Sequence, residues 1–147
     1  MSAKRTSSRR SVTSKASPRD APALFIDRDA RSRKLGQALD GAGIVHVAHH
    51  QKFDSESPDV EWIEMAGRHG WIAITRDQSI RRKPNELAAI RASRAIIFVF
   101  TSGNLSAEDT ARILLQALPR VYRLAASGKR PRLFSLRRDG TIARLKL

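Results

Sequence analysis

Short apolar runs that end beside acidic residues recur along this chain and limit the folds open to it. The run at residues 24–26 leads directly into Asp27, and the run at residues 71–75 is followed, one residue later, by Asp77. A short apolar run that ends in a carboxylate is typical of a buried parallel strand whose C-terminal tip carries a functional group. Apolar residues at helical spacing separate such runs. Strands that alternate with helices predict an α/β fold in which helices cover both faces of a mainly parallel central sheet.

The order of the predicted elements follows from apolar periodicity and from the residues that begin and end helices. The pattern predicts strands over residues 24–26, 44–48, 71–75 and 95–100 and helices over residues 30–42, 59–69 and 86–92. Asn104 or Ser106 begins a long helix near the C-terminus. Apolar runs at residues 133–136 and 141–145 flank Arg138-Asp139-Gly140, which is a strong signal for a C-terminal β-hairpin.

The charge of the chain favours a polyanionic partner. Its 147 residues carry a formal net charge of +14 and no cysteine, which excludes disulfides and thiolate metal sites. The longest apolar run, residues 95–100, is too short to span a bilayer. Residues 1–20 contain few apolar side chains and are predicted to form a disordered basic tail, with an organelle transit peptide as the alternative. The tail carries a net +5, so +9 remains on residues 21–147 and makes the domain itself attractive to nucleic acid.

Three carboxylates are predicted to meet at one edge of the sheet. Asp27 and Asp77 follow strands and Asp59 begins a helix, and sites in open α/β sheets form at the carboxyl ends of the strands. Crowded carboxylates repel one another unless a cation lies between them, and hard oxygen ligands favour Mg²⁺ or Mn²⁺. Asp59 could instead cap its helix, and Asp77 could be a turn residue. Asp27 is the hardest to explain without a partner, because it directly follows a buried strand.

Basic residues cluster close to these acids. Beside a metal site they would contact the phosphates of a nucleic acid, although most charged runs are simply solvated. The candidates are Arg28, Arg76, Arg81, Arg82 and Lys83. Thr75 is predicted to orient a water molecule or the Asp77 carboxylate through its hydroxyl.

The other polar and aromatic candidates are assigned to the surface or to the core. Asp29 and Glu61 are expected to be solvated, and His49 is expected to lie at the surface within a polar loop. Trp62 and Trp71 sit in apolar patterns and are expected to be core residues rather than platforms for stacked bases.

Several blocks of this sequence resemble the PIN-like nuclease family. Within that family, the chain is most similar to the ribonuclease toxins of toxin–antitoxin modules. The similarity runs from about Leu24 through the fourth predicted strand, and the tail and the hairpin add nothing to it. The blocks that carry it are residues 25–28, Leu39 with residues 42–43, residues 59–63, residues 70–77 and residues 80–86.

The resemblance implies a compact three-layer α/β fold over residues 21–147 and the cleavage of RNA by metal-activated water. It assigns the catalytic and metal-binding acids to Asp27, Asp59 and Asp77, with Mg²⁺ or Mn²⁺ as the cofactor. Many members have a fourth acid, for which Glu61 and Glu86 are the candidates here. The resemblance also implies an RNA substrate, a small protein antitoxin and a cytoplasmic location without membrane contact. It leaves open whether the protein forms a homodimer.

Two other functions remain open at this point. A non-catalytic nucleic-acid-binding module would use the same basic surface, but it would not need three acids, since acids without a metal repel phosphates. An acid-triad phosphatase would need a selective small-molecule pocket, which nothing in the sequence marks. For the nuclease, Asp77→Asn is expected to abolish cleavage and to leave the stability in chelator unchanged or higher, because carboxylates in a cluster repel one another.

Overall fold

The computed structural model describes residues 21–128 and 130–147, and the predicted basic tail at residues 1–20 lies outside them. Its centre is a six-stranded sheet with the order β2-β1-β3-β4-β5-β6. The strands are β1 (Leu24–Ile26), β2 (His46–Ala48), β3 (Ile72–Thr75), β4 (Ile96–Phe100), β5 (Arg132–Leu136) and β6 (Ile142–Leu145). The first five are mutually parallel, and β6 pairs antiparallel with β5. The mainly parallel sheet and the C-terminal hairpin are therefore confirmed.

The helices begin where the chain supplies a suitable N-terminal residue. They are α1 (Arg33–Gly41), α2 (Asp59–His69), α3 (Pro84–Ser93) and α4 (Ala107–Ala126), with 3-10 turns at His49–Gln51 and Ile80–Arg82. Ser106, rather than Asn104, caps α4, and its hydroxyl accepts a hydrogen bond from the peptide N–H of Asp109. Helix α3 begins at Pro84, two residues earlier than predicted, because a proline fits the first helical position.

Helices cover both faces of the sheet and form three layers. Side chains of α1 and α4 pack on one face, and side chains of α2 and α3 pack on the other. The alternation along β1 shows the division: Leu24 and Ile26 belong to the first core and Phe25 belongs to the second. Among the described residues, no helix is long and apolar enough to cross a membrane.

The register of the two central strands sets the position of the candidate acids. Strands β1 and β3 are parallel neighbours, with Ile26 paired to Ile74. The peptide N–H of Asp27 continues this ladder and donates to the carbonyl of Ile74 at 2.9 Å. Asp27 therefore lies beside Thr75 at the carboxyl edge, and Asp77 leaves the neighbouring strand at the same edge.

Candidate active site

Asp27 is a buried carboxylate at the tip of β1. Only 2% of its surface is exposed. One carboxylate oxygen accepts a hydrogen bond from the hydroxyl of Thr75 at 2.8 Å, and the other accepts one from the peptide N–H of Arg28 at 2.8 Å. Burial, followed by the negative charge of Asp29, raises the pKa of Asp27 to about 7 despite these hydrogen bonds. The ionised form of Asp27 is therefore short of positive charge.

Asp29 is exposed, as predicted, but it also lies close to Asp27 at this strand end. Its carboxylate accepts the peptide N–H of Arg76 at 3.0 Å and lies 3.3 Å from the hydroxyl of Thr75. Thr75 in turn accepts the peptide N–H of Asp77 at 3.1 Å, so it orients the carboxylate of Asp27 rather than that of Asp77. The spacing of two aspartates around one residue after a strand was the signal that could have identified Asp29.

Asp59 is the first residue of α2 and does not cap it. The N-cap position belongs to Pro58, and no side chain caps this helix end. One oxygen of Asp59 accepts hydrogen bonds from the guanidinium of Arg28 at 2.9 Å and from the indole N–H of Trp62 at 3.1 Å. Trp62 is buried as predicted, and it also orients a candidate site residue. The charge of Asp59 contributes to the raised pKa of Asp27, which places both acids in one electrostatic neighbourhood.

Arg28 is held by a set of acceptors around Asp59. In addition to the carboxylate, its guanidinium donates to the carbonyl oxygens of Ser55 at 2.6 Å and Ser57 at 3.2 Å. It also lies 3.4 Å from Nε2 of His49. A guanidinium can only donate, so Nε2 of His49 must accept and the proton of the neutral ring belongs on Nδ1.

The prediction that His49 lies at the surface was wrong. Its side chain is only 1% exposed, because its ring packs 6.1 Å from the ring of Phe25 and 5.3 Å from that of Phe53, measured between centroids. Burial, and then the charge of Arg28, lowers the pKa of His49. The neutral imidazole of His49 can therefore accept a hydrogen bond from the guanidinium of Arg28.

The negative charge of Asp77 is balanced by more partners within the chain than that of Asp27. One oxygen accepts the peptide N–H of Ser79 at 3.0 Å and its hydroxyl at 2.6 Å, which closes a turn, and the other accepts the ammonium of Lys83 at 2.9 Å. Burial alone would raise the pKa of Asp77, but the hydrogen bonds from Ser79 and Lys83 outweigh it and lower the pKa. The turn interpretation of Asp77 and its position at the carboxyl edge are both realised.

The remaining candidates differ in how closely they approach these acids. Lys83 has a raised pKa, chiefly through its hydrogen bond to Asp77, with smaller contributions from Asp59 and Glu86. Arg81 and Arg82 are exposed in the 3-10 turn between Asp77 and α3, and Arg76 is partly buried. Glu61 is exposed on α2.

The donor set at the tip of β1 fits a hard divalent cation better than the wider cluster does. In the part of the chain that the structure describes, no group of three or more His, Asp or Glu side chains is placed to hold a metal ion together. Arg28 forms an ion pair with Asp59, and Lys83 forms one with Asp77. Within residues 21–128 and 130–147, neither Asp27 nor Asp29 forms an ion pair with Lys or Arg. Mg²⁺ is commonly held by one or two carboxylates and several waters, which matches such a pair.

Comparison with known proteins places this α/β chain in a family. Residues 22–102 match the family model described as PIN like domain, and the chain belongs to this family, as its motifs had indicated. The matched region contains β1 to β4 and all three predicted acids. The chain is also 27% identical over 110 residues to a protein of Mycobacterium tuberculosis (strain ATCC 25618 / H37Rv) named "Putative ribonuclease VapC45"; the alignment covers 72% of this chain and 80% of the relative. No solved structure matches the chain significantly.

Proposed function

We propose that this protein is a metal-dependent endoribonuclease that acts as the toxin of a toxin–antitoxin pair. The observation that carries the proposal is the buried carboxylate of Asp27, whose pKa is raised to about 7 at the tip of a central strand. Perturbed carboxylates of this kind concentrate at functional sites. Membership of the PIN-like family and similarity to a protein named as a ribonuclease support the same reaction class.

In this proposal Asp27 and Asp29 provide the primary ligands for Mg²⁺ or Mn²⁺. A bound ion would lower the pKa of a water molecule and offset charge that develops on the phosphate. Asp59 and Asp77 complete the set of acids around the substrate, with Glu86, near Lys83, favoured over the exposed Glu61 as the fourth acid. Their present partners, Arg28 and Lys83, hold these two carboxylates in place and lower the repulsion at the site.

The RNA strand is proposed to follow the basic side of this edge. Arg81 and Arg82 are exposed and form no ion pair within the described residues, so their charge is available to phosphates. Arg76, Arg28 and Lys83 lie closer to the carboxylates and would contact the phosphate nearest to the scissile bond. The proposed domain spans residues 21–147, acts on RNA in the cytoplasm and is restrained by a protein antitoxin; a homodimer is the form to be tested by mass measurement.

A second candidate function follows from the two ion pairs at the site. Arg28 with Asp59 and Lys83 with Asp77 neutralise half of the four aspartates without any metal. A surface so neutralised, on a domain of net positive charge, would suit a non-catalytic nucleic-acid-binding module. That module would bind RNA equally well in chelator and would leave it intact.

The purified protein distinguishes the two functions directly. RNA incubated with the protein and Mg²⁺ or Mn²⁺ should be cut, and chelator should stop the cutting until the metal is restored. Expression in cells should arrest growth, and co-expression of the antitoxin should relieve the arrest. Binding without cleavage in either metal would contradict the nuclease and support the binding module.

A further inference from the structure

Two cavities differ in their relation to the carboxylates. The larger, of about 620 Å³, lies beside Arg120 and Arg123 in the C-terminal part of α4 and beside Ile142 at the start of β6. The smaller, of about 160 Å³, lies between α1 and β2 and includes Ile26, the residue directly before Asp27. Of these two cavities, only the smaller is therefore lined by a residue adjacent to a candidate acid.

The backbone ties this smaller cavity to the candidate active site. Arg31 is on its rim, and the peptide N–H of Arg31 donates to the carbonyl of Asp27 at 3.1 Å. His50 also lines the cavity, and it follows His49, whose ring nitrogen lies 3.4 Å from the guanidinium of Arg28. A group bound in the cavity would thus lie at a fixed offset from the carboxylate of Asp27.

The size and floor of the cavity suit one flat ring system. Its floor is formed by the apolar side chains of Ile26, Leu35, Leu39 and Ala48. A cavity volume of about 160 Å³ is well below the roughly 300–1,000 Å³ of pockets that take drug-sized ligands. Unpaired RNA bases are recognised by stacking on apolar or planar side chains, and here the imidazole of His50 and the guanidinium of Arg31 supply planar groups at the rim.

Three of the polar side chains that line the cavity, those of Gln51, Ser32 and Arg31, offer hydrogen-bond donors, whereas His46 and His50 can donate or accept. The side-chain oxygen of Gln51 accepts the peptide N–H of Ala48 at 2.7 Å, which leaves the amide NH₂ of Gln51 to donate. The hydroxyl oxygen of Ser32 accepts the peptide N–H of Leu35 at 3.0 Å, which leaves its O–H to donate. Arg31 can only donate. The occupant should therefore present acceptors, in particular carbonyl oxygens.

We propose that this cavity binds one unpaired base of the RNA beside the cleavage position and selects against adenine. Guanine, uracil and cytosine each carry a carbonyl oxygen with two lone pairs, which can accept from two of these donors at once, whereas adenine can accept only through ring nitrogens with one lone pair each. The assignment of the bound base to an RNA substrate rests on the proposed function. Base discrimination by hydrogen bonds of this kind is worth about fivefold or more in affinity.

The test uses the four 5′-mononucleotides as probes of the full chain in chelator. Nuclear magnetic resonance titration should show that GMP, UMP and CMP shift the side-chain amide signal of Gln51 and bind about fivefold or more tightly than AMP. Equal binding of all four nucleotides, or binding of none, would overturn the proposal, and this result needs no variant.

A matched pair of variants assigns the preference to the cavity. Gln51→Glu keeps an oxygen for the peptide N–H of Ala48 but replaces the donating NH₂ group with an acceptor, so it should weaken GMP, UMP and CMP binding and abolish the preference over AMP. Gln37→Glu makes the same change of charge at an exposed position of α1 outside the cavity and should keep the preference. Equal loss of the preference in both variants would show that charge, and not the cavity, discriminates.

The outcomes separate this proposal from the proposed function. A protein that discriminates against AMP but cuts no RNA in Mg²⁺ or Mn²⁺ would retain the base-binding cavity and lose the nuclease. A protein that cuts RNA, with all four mononucleotides bound equally, would retain the nuclease and lose the cavity as a specificity site.

Discussion

Asp27 and Asp77 end neighbouring parallel strands, yet their surroundings shift their pKa values in opposite directions. Asp27 is buried beside Asp29, is paired with no basic side chain in the described part of the chain, and has a pKa raised to about 7. Asp77 receives hydrogen bonds from Ser79 and Lys83, and its pKa is lowered. Burial raises both pKa values and is more complete at Asp27, whereas the hydrogen bonds from Ser79 and Lys83 reverse its effect at Asp77.

The contrast separates an acid whose charge stabilises the fold from one whose charge is left unbalanced, as the proposed metal site requires. The charge of Asp77 is balanced within the chain, by a turn and by an ammonium group. The charge of Asp27 is not balanced, and a protein that kept such a carboxylate only for stability would gain by replacing it. We therefore expect Asp27→Asn, rather than Asp77→Asn, to relieve the repulsion among the carboxylates.

The largest expected effect is on cleavage. Asp27→Asn keeps the size of the side chain but removes the charge that would hold Mg²⁺ or Mn²⁺. Loss of a residue that only supports a metal ligand costs about 10–100-fold in affinity or activity, so loss of a ligand should cost about a hundredfold or more in cleavage rate. The affinity for Mg²⁺ or Mn²⁺, measured by calorimetry, should fall in parallel.

Asp139→Asn is the matched control for this measurement. Asp139 lies in the C-terminal hairpin turn, where its carboxylate accepts the peptide N–H and the hydroxyl of Thr141. The same change of charge at this position should leave cleavage unchanged. An active Asp27→Asn variant would remove Asp27 from the catalytic set and leave its raised pKa without a functional explanation.

The second effect is on stability, and its pH dependence has a defined sign. The pKa of Asp27 is about 7 in the folded protein against an ordinary 3.8, so its contribution to stability is present below pH 3.8 and is lost as the pH rises through 7. In chelator, the stability advantage of Asp27→Asn over the wild type should grow by roughly 2–3 kcal/mol from pH 5 to pH 8, at about 1.4 kcal/mol per pKa unit. Urea unfolding at both pH values measures this gain, and a difference that does not change with pH would contradict the assigned pKa.

The third effect tests the compensated acid. Asp77→Asn keeps an oxygen for Ser79 but loses the charge that pairs with Lys83, and partly exposed pairs contribute about 0.2–1 kcal/mol. The variant should be less stable than the wild type by about this amount at pH 7. Since the folded pKa of Asp77 is lowered, the difference should disappear as the pH falls through and below 3.8.

The same control variant serves here, because Asp139 forms a turn of the same kind without a lysine. The hydrogen bonds from Thr141 also lower the pKa of Asp139, so Asp139→Asn should lose some stability at pH 7, but less than Asp77→Asn, which also loses an ammonium partner. If Asp77→Asn were more stable than the wild type in chelator at pH 7, repulsion among the carboxylates would outweigh the Lys83 pair, and the two strand tips would not differ as described.

The fold was predictable because its signals are local. The apolar run at β4 is continuous, as expected for a central strand, and its residues are all buried. The hairpin followed from Arg138-Asp139-Gly140, whose Gly140 adopts a positive φ of 86°. The three aspartates could be placed at one edge from the same information, since strand ends and helix starts alternate along the chain.

The partners of those aspartates were not predictable, because they come from distant parts of the chain. Nothing near His49 indicates that Phe25 and Phe53 will enclose its ring, and the polarity of its loop suggested the opposite. Residues 28 and 59 meet only because α2 begins beside the tip of β1. Sequence spacing therefore located the acids but could not show that Arg28 and Lys83 neutralise two of them.

The smallest expected effect concerns RNA affinity and divides the basic residues along the same line. Arg81 and Arg82 are exposed without an ion pair in the described residues, whereas Lys83 is engaged by Asp77. If each arginine contacts one phosphate of a single strand, Arg81→Gln with Arg82→Gln should reduce the salt slope of binding by about 1.4, at about 0.7 per contact. Lys83→Gln should change the slope less and lower stability instead, because its charge is already balanced within the protein.

Arg68→Gln with Arg91→Gln, in the last turns of α2 and α3, removes the same charge at the other edge of the sheet and should leave the slope unchanged. Equal flattening by both double variants in a salt titration would mean that RNA is attracted by the net charge of the domain and not held beside the carboxylates.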